Sequence, residues 1–363
     1  MFLSDIIIER IKKEGPISFK DFMEMALYYP ELGYYNSIDT KIGADGDFYT
    51  SANLSASFGA MIGRQIEEMW TLMGEKTFKV VEYGAGTGLL CHDILDYLKK
   101  NKPLYNDLHY CIIEKSTSMR QIEKKYLLEK VSWYNSIDEI PEIIGCIISN
   151  ELIDNFSVHQ VAMEDQLKEV FVQYNNGFEE ILLPAGKNLV DYFKSLNVDL
   201  PRGFRTEINL EALSWLKDIS RFLVKGYVIT IDYGSTSSKL YDNHRSSGTL
   251  LCYNKHQKNE NPYQLIGSQD ITSHTNFSAL RQWGSDYGLD CCGMTDQTNF
   301  LLALGIKKYQ NDTLMKPINR AQVKIHESYI NIGLLLSMGM KFKVLIQQKG
   351  VEKKTLLGLK FLN

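Results

Sequence analysis

Apolar positions along the chain follow two different periods. Near the start the spacing is helical. Phe19, Phe22, Met23 and Ala26 recur over 18–28, Ser18 with Asp21 makes a capping start, and Pro30 stops the helix. A glycine-punctuated stretch from Gly33 to Thr50 precedes a second helix expected through 55–73, ended by Gly74. From residue 77 short apolar runs take over, at 77–83, 108–114, 143–149 and 226–232. Amphipathic helices alternate with them, such as 88–100, where Leu90, Ile94 and Leu98 share a face. Near-continuous apolar strands are what a sheet covered on both faces requires, so the pattern predicts a doubly wound, parallel α/β core. The alternation breaks over 155–205, where 158–163, 169–174 and 178–183 read as short antiparallel strands around the turn Asn175-Asn176-Gly177. A helix over 209–224 follows, capped by Asn209 and closed by Gly226; residues 234–262 read as a polar loop. A long helix at about 317–337 and a last strand at 342–348, placed to complete the sheet, end the chain. The expected organisation is a helical N-terminal region (1–75), a core (76–154 and 206–363) and a β-rich insertion (155–205) for substrate or partner.

Composition narrows the class. The 363 residues are 44% hydrophobic and 23% charged, which suits a globular protein. A net charge of −4 gives no general attraction to phosphate backbones, so nucleic acid is not expected as a partner. The longest apolar run, Tyr329 to Met340, is interrupted by Asn331 and Ser337 and falls short of the roughly 20 residues a membrane span needs. Six scattered cysteines without a C-x-x-C spacing point to a reduced protein with no metal site. Asp5 and Glu9 interrupt any signal-peptide core, and the start lacks an Arg-rich presequence. A cytoplasmic location is therefore expected, with the mitochondrial matrix as the alternative for a eukaryotic chain.

The main chemical signal is Glu82-Tyr83-Gly84-Ala85-Gly86-Thr87-Gly88, which leaves a strand and enters a helix. Glycines let the chain turn sharply and let a ligand lie against bare backbone. The helix that follows offers free N–H groups to an anion. A dinucleotide fingerprint sets its third glycine one place later; the spacing here is the one associated with S-adenosylmethionine (SAM) methyltransferases. Glu114 ends the next apolar run, where a carboxylate accepts hydrogen bonds from ribose hydroxyls. The bland readings are a structural strand–helix turn and a solvated acid beside Lys115.

After the 143–149 run comes Ser149-Asn150-Glu151-Leu152-Ile153-Asp154. Ligands of open α/β sheets gather at the carboxyl ends of strands, so Asn150, Glu151 and Asp154 are site candidates. Two carboxylates suit a cationic nucleophile. A guanidinium stays protonated, and a bidentate carboxylate grip orients one of its nitrogens toward a methyl donor. The alternative is a helix N-terminus whose dipole Glu151 complements. Asp47, Thr50 and Ser51 are candidates to cap the cofactor pocket, with a plain turn and helix N-cap as the alternative. His256 and His274 are minor candidates as bases; Tyr28, Tyr29, Tyr34 and Tyr35 read as core packing before an aromatic wall.

These residues resemble the MidA-like methyltransferases, bacterial and mitochondrial relatives of a complex I assembly factor. The matching segments are Ile17-Ser18-Phe19 through Met23, Leu27-Tyr28-Tyr29-Pro30, Gly33-Tyr34-Tyr35, Gly46 to Ser51 and the Glu82–Gly88 loop. Ser149-Asn150-Glu151 with Asp154, Ile231-Asp232-Tyr233-Gly234, Gly248-Thr249-Leu250, Asp270-Ile271-Thr272 and Met338-Gly339 continue the match. In one place the chain departs: the family's usual Asp-Ala-Leu-Pro-Val is Asp154-Asn155-Phe156-Ser157-Val158 here. The resemblance implies an α/β fold: a Rossmann-like SAM methyltransferase core with a parallel-dominated sheet, a helical N-terminal region and an antiparallel insertion. It implies SAM as cofactor, S-adenosyl-L-homocysteine as product, and a protein substrate bearing an arginine. Glu82, Gly84, Gly86, Gly88 and Glu114 would bind SAM, with Thr50, Ser51 and Asn150 beside them, and Glu151 and Asp154 would be catalytic. Support of respiratory complex I assembly and a homodimer belong to the same expectation. Rival readings are a SAM-binding assembly factor without catalysis and a small-molecule methyltransferase.

Overall fold

The computed structural model of the chain describes residues 2–37, 50–74, 77–127, 129–313 and 332–361. The chain forms two compact units, each threaded from three stretches: 1–41, 153–215 and 234–283 make the first, and 42–152, 216–233 and 284–363 make the second.

The second unit holds the alternating α/β pattern. Its main sheet contains β1 (Phe78–Tyr83), β2 (Leu108–Ile113), β3 (Val131–Tyr134), β4 (Ile143–Asn150), β5 (Leu223–Ser235), β6 (Asp290–Asp296) and β7 (Phe342–Lys349). Side by side the order is β3-β2-β1-β4-β5-β7-β6. The first five strands run parallel. The last strand, β7, lies antiparallel between β5 and β6 and completes the sheet as the pattern predicted. Helices α1 (Ala56–Met73), α2 (Leu89–Leu98) and α3 (Thr117–Tyr126) belong to this unit. Phe58, Ile62, Ile66 and Met69 of α1 and Leu90, Ile94 and Leu98 of α2 share one buried core with Val80, Ile112, Ile148 and Ile229 of the strands. Each such side chain contributes roughly 1.5–3 kcal/mol by leaving water. The order doubles back between β1 and β4, and it is outside the carboxyl ends of strands at such a reversal that open α/β sheets take their ligands.

The first unit is largely antiparallel. Strands His159–Met163, Leu167–Tyr174 and Phe178–Pro184 form the expected meander. They share a sheet with Ile17–Ser18 and Arg205–Ile208, so the N-terminal segment and the insertion are one structure rather than two. The helix Phe19–Tyr28 starts on Ser18, whose hydroxyl accepts the Asp21 N–H at 3.1 Å. The contacts therefore divide the chain near residue 41, not at 75, because α1 packs with the parallel sheet.

Two expectations change, and a third lies largely outside the described residues. Gly226 does not close a helix: the helix Leu210–Phe222 runs into β5, and Gly226 lies inside that strand opposite Gly145. Here Lys79, Gly145 and Gly226 stand in a row across β1, β4 and β5, and a Cβ on either glycine would come within 1.9 Å of a backbone oxygen. Residues 234–262 are not all loop. They carry a hairpin, Leu251–Asn254 with Gln257–Asn259, joined by Asp270–Thr272. Of the helix expected at about 317–337, residues 314–331 lie outside the described residues, and the structure gives Ile332–Gly339. Among the described residues no helix is long and apolar enough to cross a membrane.

Candidate functional site

The crevice of the second unit is framed by the tips of β1, β2 and β4. The glycine loop leaves β1 with Gly84, Gly86 and Gly88 all in the left-handed region, at φ of 64°, 56° and 80°. Side chains disfavour that region, which accounts for the three glycines. A Cβ on Gly84 would also stand 2.9 Å from Leu152 Cδ1, so the loop and the residues after β4 approach closely. Gly84 N–H bonds the Ile113 carbonyl at 3.0 Å, which fixes the loop to the end of β2.

Below the loop, Glu82 is 2% exposed and accepts the Tyr110 hydroxyl at 2.6 Å. Burial pushes its carboxyl up to about 7, with the Tyr110 bond opposing. At the end of β2 the half-buried Glu114 accepts the Ser116 N–H at 2.7 Å. Burial raises it, while Ser116, Arg120 and Lys115 hold it down. Arg120 donates to the carbonyls of Glu114 and Tyr134, at 2.7 and 2.6 Å, and so ties the tips of β2 and β3 together.

At the tip of β4, register places Ser149 beside Tyr83. Glu151 follows in a left-handed conformation, φ 52°, which a glutamate rarely adopts. Its N–H bonds the Ile231 carbonyl of β5 at 2.9 Å. Its carboxylate accepts the Ser51 N–H at 2.8 Å and the Asn150 amide at 3.2 Å. Burial pushes this carboxyl up to about 7; the Ser51 N–H opposes the shift and the Asp232 charge adds to it. Asn150 Oδ1 is buried and meets no donor among the described residues.

Several expected residues stand elsewhere or are already engaged. Thr50 is the N-cap of the turn Ser51–Leu54, with its backbone N–H and hydroxyl both on Asn53 Oδ1. The Ser51 hydroxyl lies against the buried Gln297 amide. Asp47 lies outside the described residues. Asp154 belongs to the first unit, in the single turn Ile153–Asn155, where its carbonyl accepts the Ser273 N–H at 2.9 Å. His256 is exposed at the tip of a hairpin and His274 Nδ1 lies 3.0 Å from Arg245, both in the first unit. Tyr28 and Tyr35 stack at 5.5 Å there. Sequence reasoning missed Tyr110, Arg120, Glu123 and Gln297. None sits in a motif, and the sequence pattern does not predict the helix Thr117–Tyr126; its Met119 and Glu123, four apart and both buried, are the one local signal for Glu123.

A family model described as S-adenosyl-L-methionine-dependent methyltransferase matches residues 61–295. The mitochondrial protein arginine methyltransferase NDUFAF7 homologue of Caenorhabditis elegans is 28% identical, over 94% of this chain and 85% of its own length. The NDUFAF7 of Danio rerio is 25% identical over 97% and 90%, and that of Homo sapiens 27% over 83% and 72%. A Burkholderia thailandensis protein solved bound to S-adenosyl-homocysteine has a TM-score of 0.85 at 26% identity, covering 99% of this chain and 95% of that one. The curated relatives are named as mitochondrial, so they lend the cytoplasmic expectation no support. The chain belongs to the MidA-like family: it is an enzyme, a methyltransferase that uses S-adenosyl-L-methionine as its cofactor.

Proposed function

We propose that this enzyme methylates an arginine nitrogen of a protein substrate, as the names of its relatives state for them, and that Glu151 receives the guanidinium. One observation carries the reading. A glutamate is held in a backbone conformation that favours glycine, at the reversal of the sheet, with its carboxylate fixed by two donors. Strain of about 1–3 kcal/mol is kept where a side chain is needed in one place.

The cofactor supplies an electrophilic methyl group on a positively charged sulfur. The chain's residues fit such a ligand. Three left-handed glycines present bare backbone, Glu114 offers an acceptor at the neighbouring strand tip for the sugar hydroxyls, and the unpartnered Asn150 Oδ1 is an acceptor for an ammonium group. Thr50 and Ser51 serve the site indirectly, the backbone of Ser51 by aiming Glu151. Glu82 supports the loop from beneath rather than from its surface. Ionised Glu151 accepts two N–H bonds from the guanidinium, orients one nitrogen and draws positive charge toward the others. Orientation of this kind contributes up to roughly 7–11 kcal/mol. The proton shed by the methylated nitrogen passes to solvent or to a carboxylate. Asp154 remains the second candidate, on its place three residues along the chain. Assistance to respiratory complex I assembly, in a mitochondrial or bacterial setting, extends the same reading to a partner.

Incubation with methyl-labelled SAM and cell lysate, followed by mass spectrometry of the labelled bands, tests the function. Label on arginine of a discrete protein supports it. Label confined to small molecules, or to other side chains, overturns it.

A further inference from the structure

Behind the glycine loop lies a carboxyl group that the reading above does not use. Glu123, on α3, is 0% exposed. One of its oxygens accepts the Trp133 indole N–H at 2.6 Å. The other is buried and meets no donor among the described residues. The backbone of α3 packs on the loop itself: a Cβ on Gly88 would stand 3.1 Å from Leu127 Cδ1 and 3.6 Å from Glu123 Cα. The charges that face Glu123 come from every neighbouring element. They are Glu82 on β1, Glu114 at the tip of β2, Arg120 on its own helix, and the buried thiol of Cys91 on α2. Three carboxyl groups thus lie about one loop, with Arg120 near Glu114 and Glu123 and Lys115 near Glu114 as cations.

We propose that Glu123 is a positioning residue for the nucleoside end of the cofactor: it stays protonated behind the glycine loop and leaves Glu114 as the charged acceptor at the strand tip. The inference rests on the proposed role of Glu114. A carboxylate accepts both hydroxyls of a ribose only when ionised, because protonation turns one oxygen into a donor. Three like charges in one buried place do not all form, so the protons settle on the groups least able to keep a charge. Glu114 is half-buried and accepts the Ser116 N–H, with Arg120 near, so of the two it is the better placed to hold a charge, although burial raises it as well. Glu123 is fully buried with one bare oxygen. Burial lifts it to about 8, the Glu114 charge adding to the effect and the Trp133 bond opposing it. When Glu123 ionises at higher pH, a second negative charge stands beside Glu114. The two like charges then repel, Glu114 moves from its place at the strand tip, and its grip on the sugar weakens.

Calorimetric titration of the full chain with S-adenosyl-L-homocysteine, from pH 7 to 9.5, tests this with the wild type, Glu123→Gln and Glu114→Ala. Glutamine keeps the Trp133 partner and cannot ionise. Expected is an affinity equal in wild type and Glu123→Gln at pH 7 within about twofold, and falling about tenfold further in the wild type than in the variant across the range; the slope common to both is the loss of the ligand's ammonium proton. The same slope in Glu123→Gln, with Glu114→Ala weakened at every pH, overturns the inference alone. Unchanged affinity in Glu114→Ala removes the strand-tip reading and the inference together. If Glu123→Gln fails to fold, carbon-13 NMR of glutamate-labelled protein decides, with Glu82→Gln and Glu151→Gln removing the two other raised carboxyls in turn: a remaining carboxyl titrating above pH 7 supports the inference, and its absence overturns it.

Discussion

The tips of β1 and β4 stand side by side and both turn through left-handed backbone, but they use different residues to do so. At β1 the turn is made by Gly84, Gly86 and Gly88, which adopt it without strain. At β4 it is made by Glu151 at φ 52°. Each tip also carries one carboxyl lifted to about 7, Glu82 under the loop and Glu151 at the crevice. Glu82 is enclosed and bonded to Tyr110, whereas Glu151 is half-buried and aimed by Ser51. Where the chain must only yield room, glycine suffices. Where the same bend carries an acid, the left-handed backbone is held by a residue that rarely adopts it, as the role proposed for Glu151 requires.

The largest expected effect breaks the β1 side. Gly86→Val puts a β-branched residue at φ 56° and should weaken S-adenosyl-L-homocysteine binding at least about a hundredfold by calorimetry; unchanged binding would remove the loop from the site. On the β4 side, Glu151→Gln should slow methyl transfer on the order of a hundredfold in a single-turnover assay, while cofactor affinity stays within about threefold. The role proposed for Glu151 needs its ionised form, so wild-type transfer should fall as the pH drops below about 7.

The buried partner responds in the opposite sense. Glu82 is raised in the folded state, so the stability it lends is complete below its unfolded value near 4.5 and is lost as pH rises through about 7. Glu82→Gln should therefore match the wild type in denaturant melts at pH 4.5 and exceed it by about 1–3 kcal/mol at pH 8. Gly84→Ala should cost about 1–2 kcal/mol, part of it recovered in a Leu152→Ala background that frees the space at 2.9 Å. The finest test is on strain alone: Glu151→Gly should be more stable than Glu151→Ala by about 1 kcal/mol, since both lack the carboxylate and only glycine suits the bend.

Much of the second unit was legible in the chain because its signals are local. Apolar runs of six to eight residues marked β1, β2 and β4, and Gly74 ended α1 in the left-handed cap its position suggested. The turn at the glycine loop and the place of Glu114 just past the end of β2 needed only spacing. Gly226 misled because a glycine after a helical pattern reads as a stop, while its real constraint is the close row of Lys79, Gly145 and Gly226 across three strands. The hairpin at 251–259 was hidden by its brevity and by its turn, Lys255-His256, which takes positive φ at 48° and 61° without asparagine or glycine. The fastening of Glu151 was invisible for another reason: Ser51 lies a hundred residues away and Gln297 further still. Long-range partners leave no periodic trace.

The placement of β7 has a consequence for how the enzyme is made. Until the ribosome has released residue 349, the edge of β5 over 226–233 lacks the strand that covers it and, among the described residues, β6 has nothing to pair with. During synthesis a long, apolar border is exposed while most of the polypeptide has already emerged, and such borders recruit strangers. Translation pauses late in the message, or holdase chaperones, should matter more to the yield of this protein than to one whose sheet closes in the order it is read.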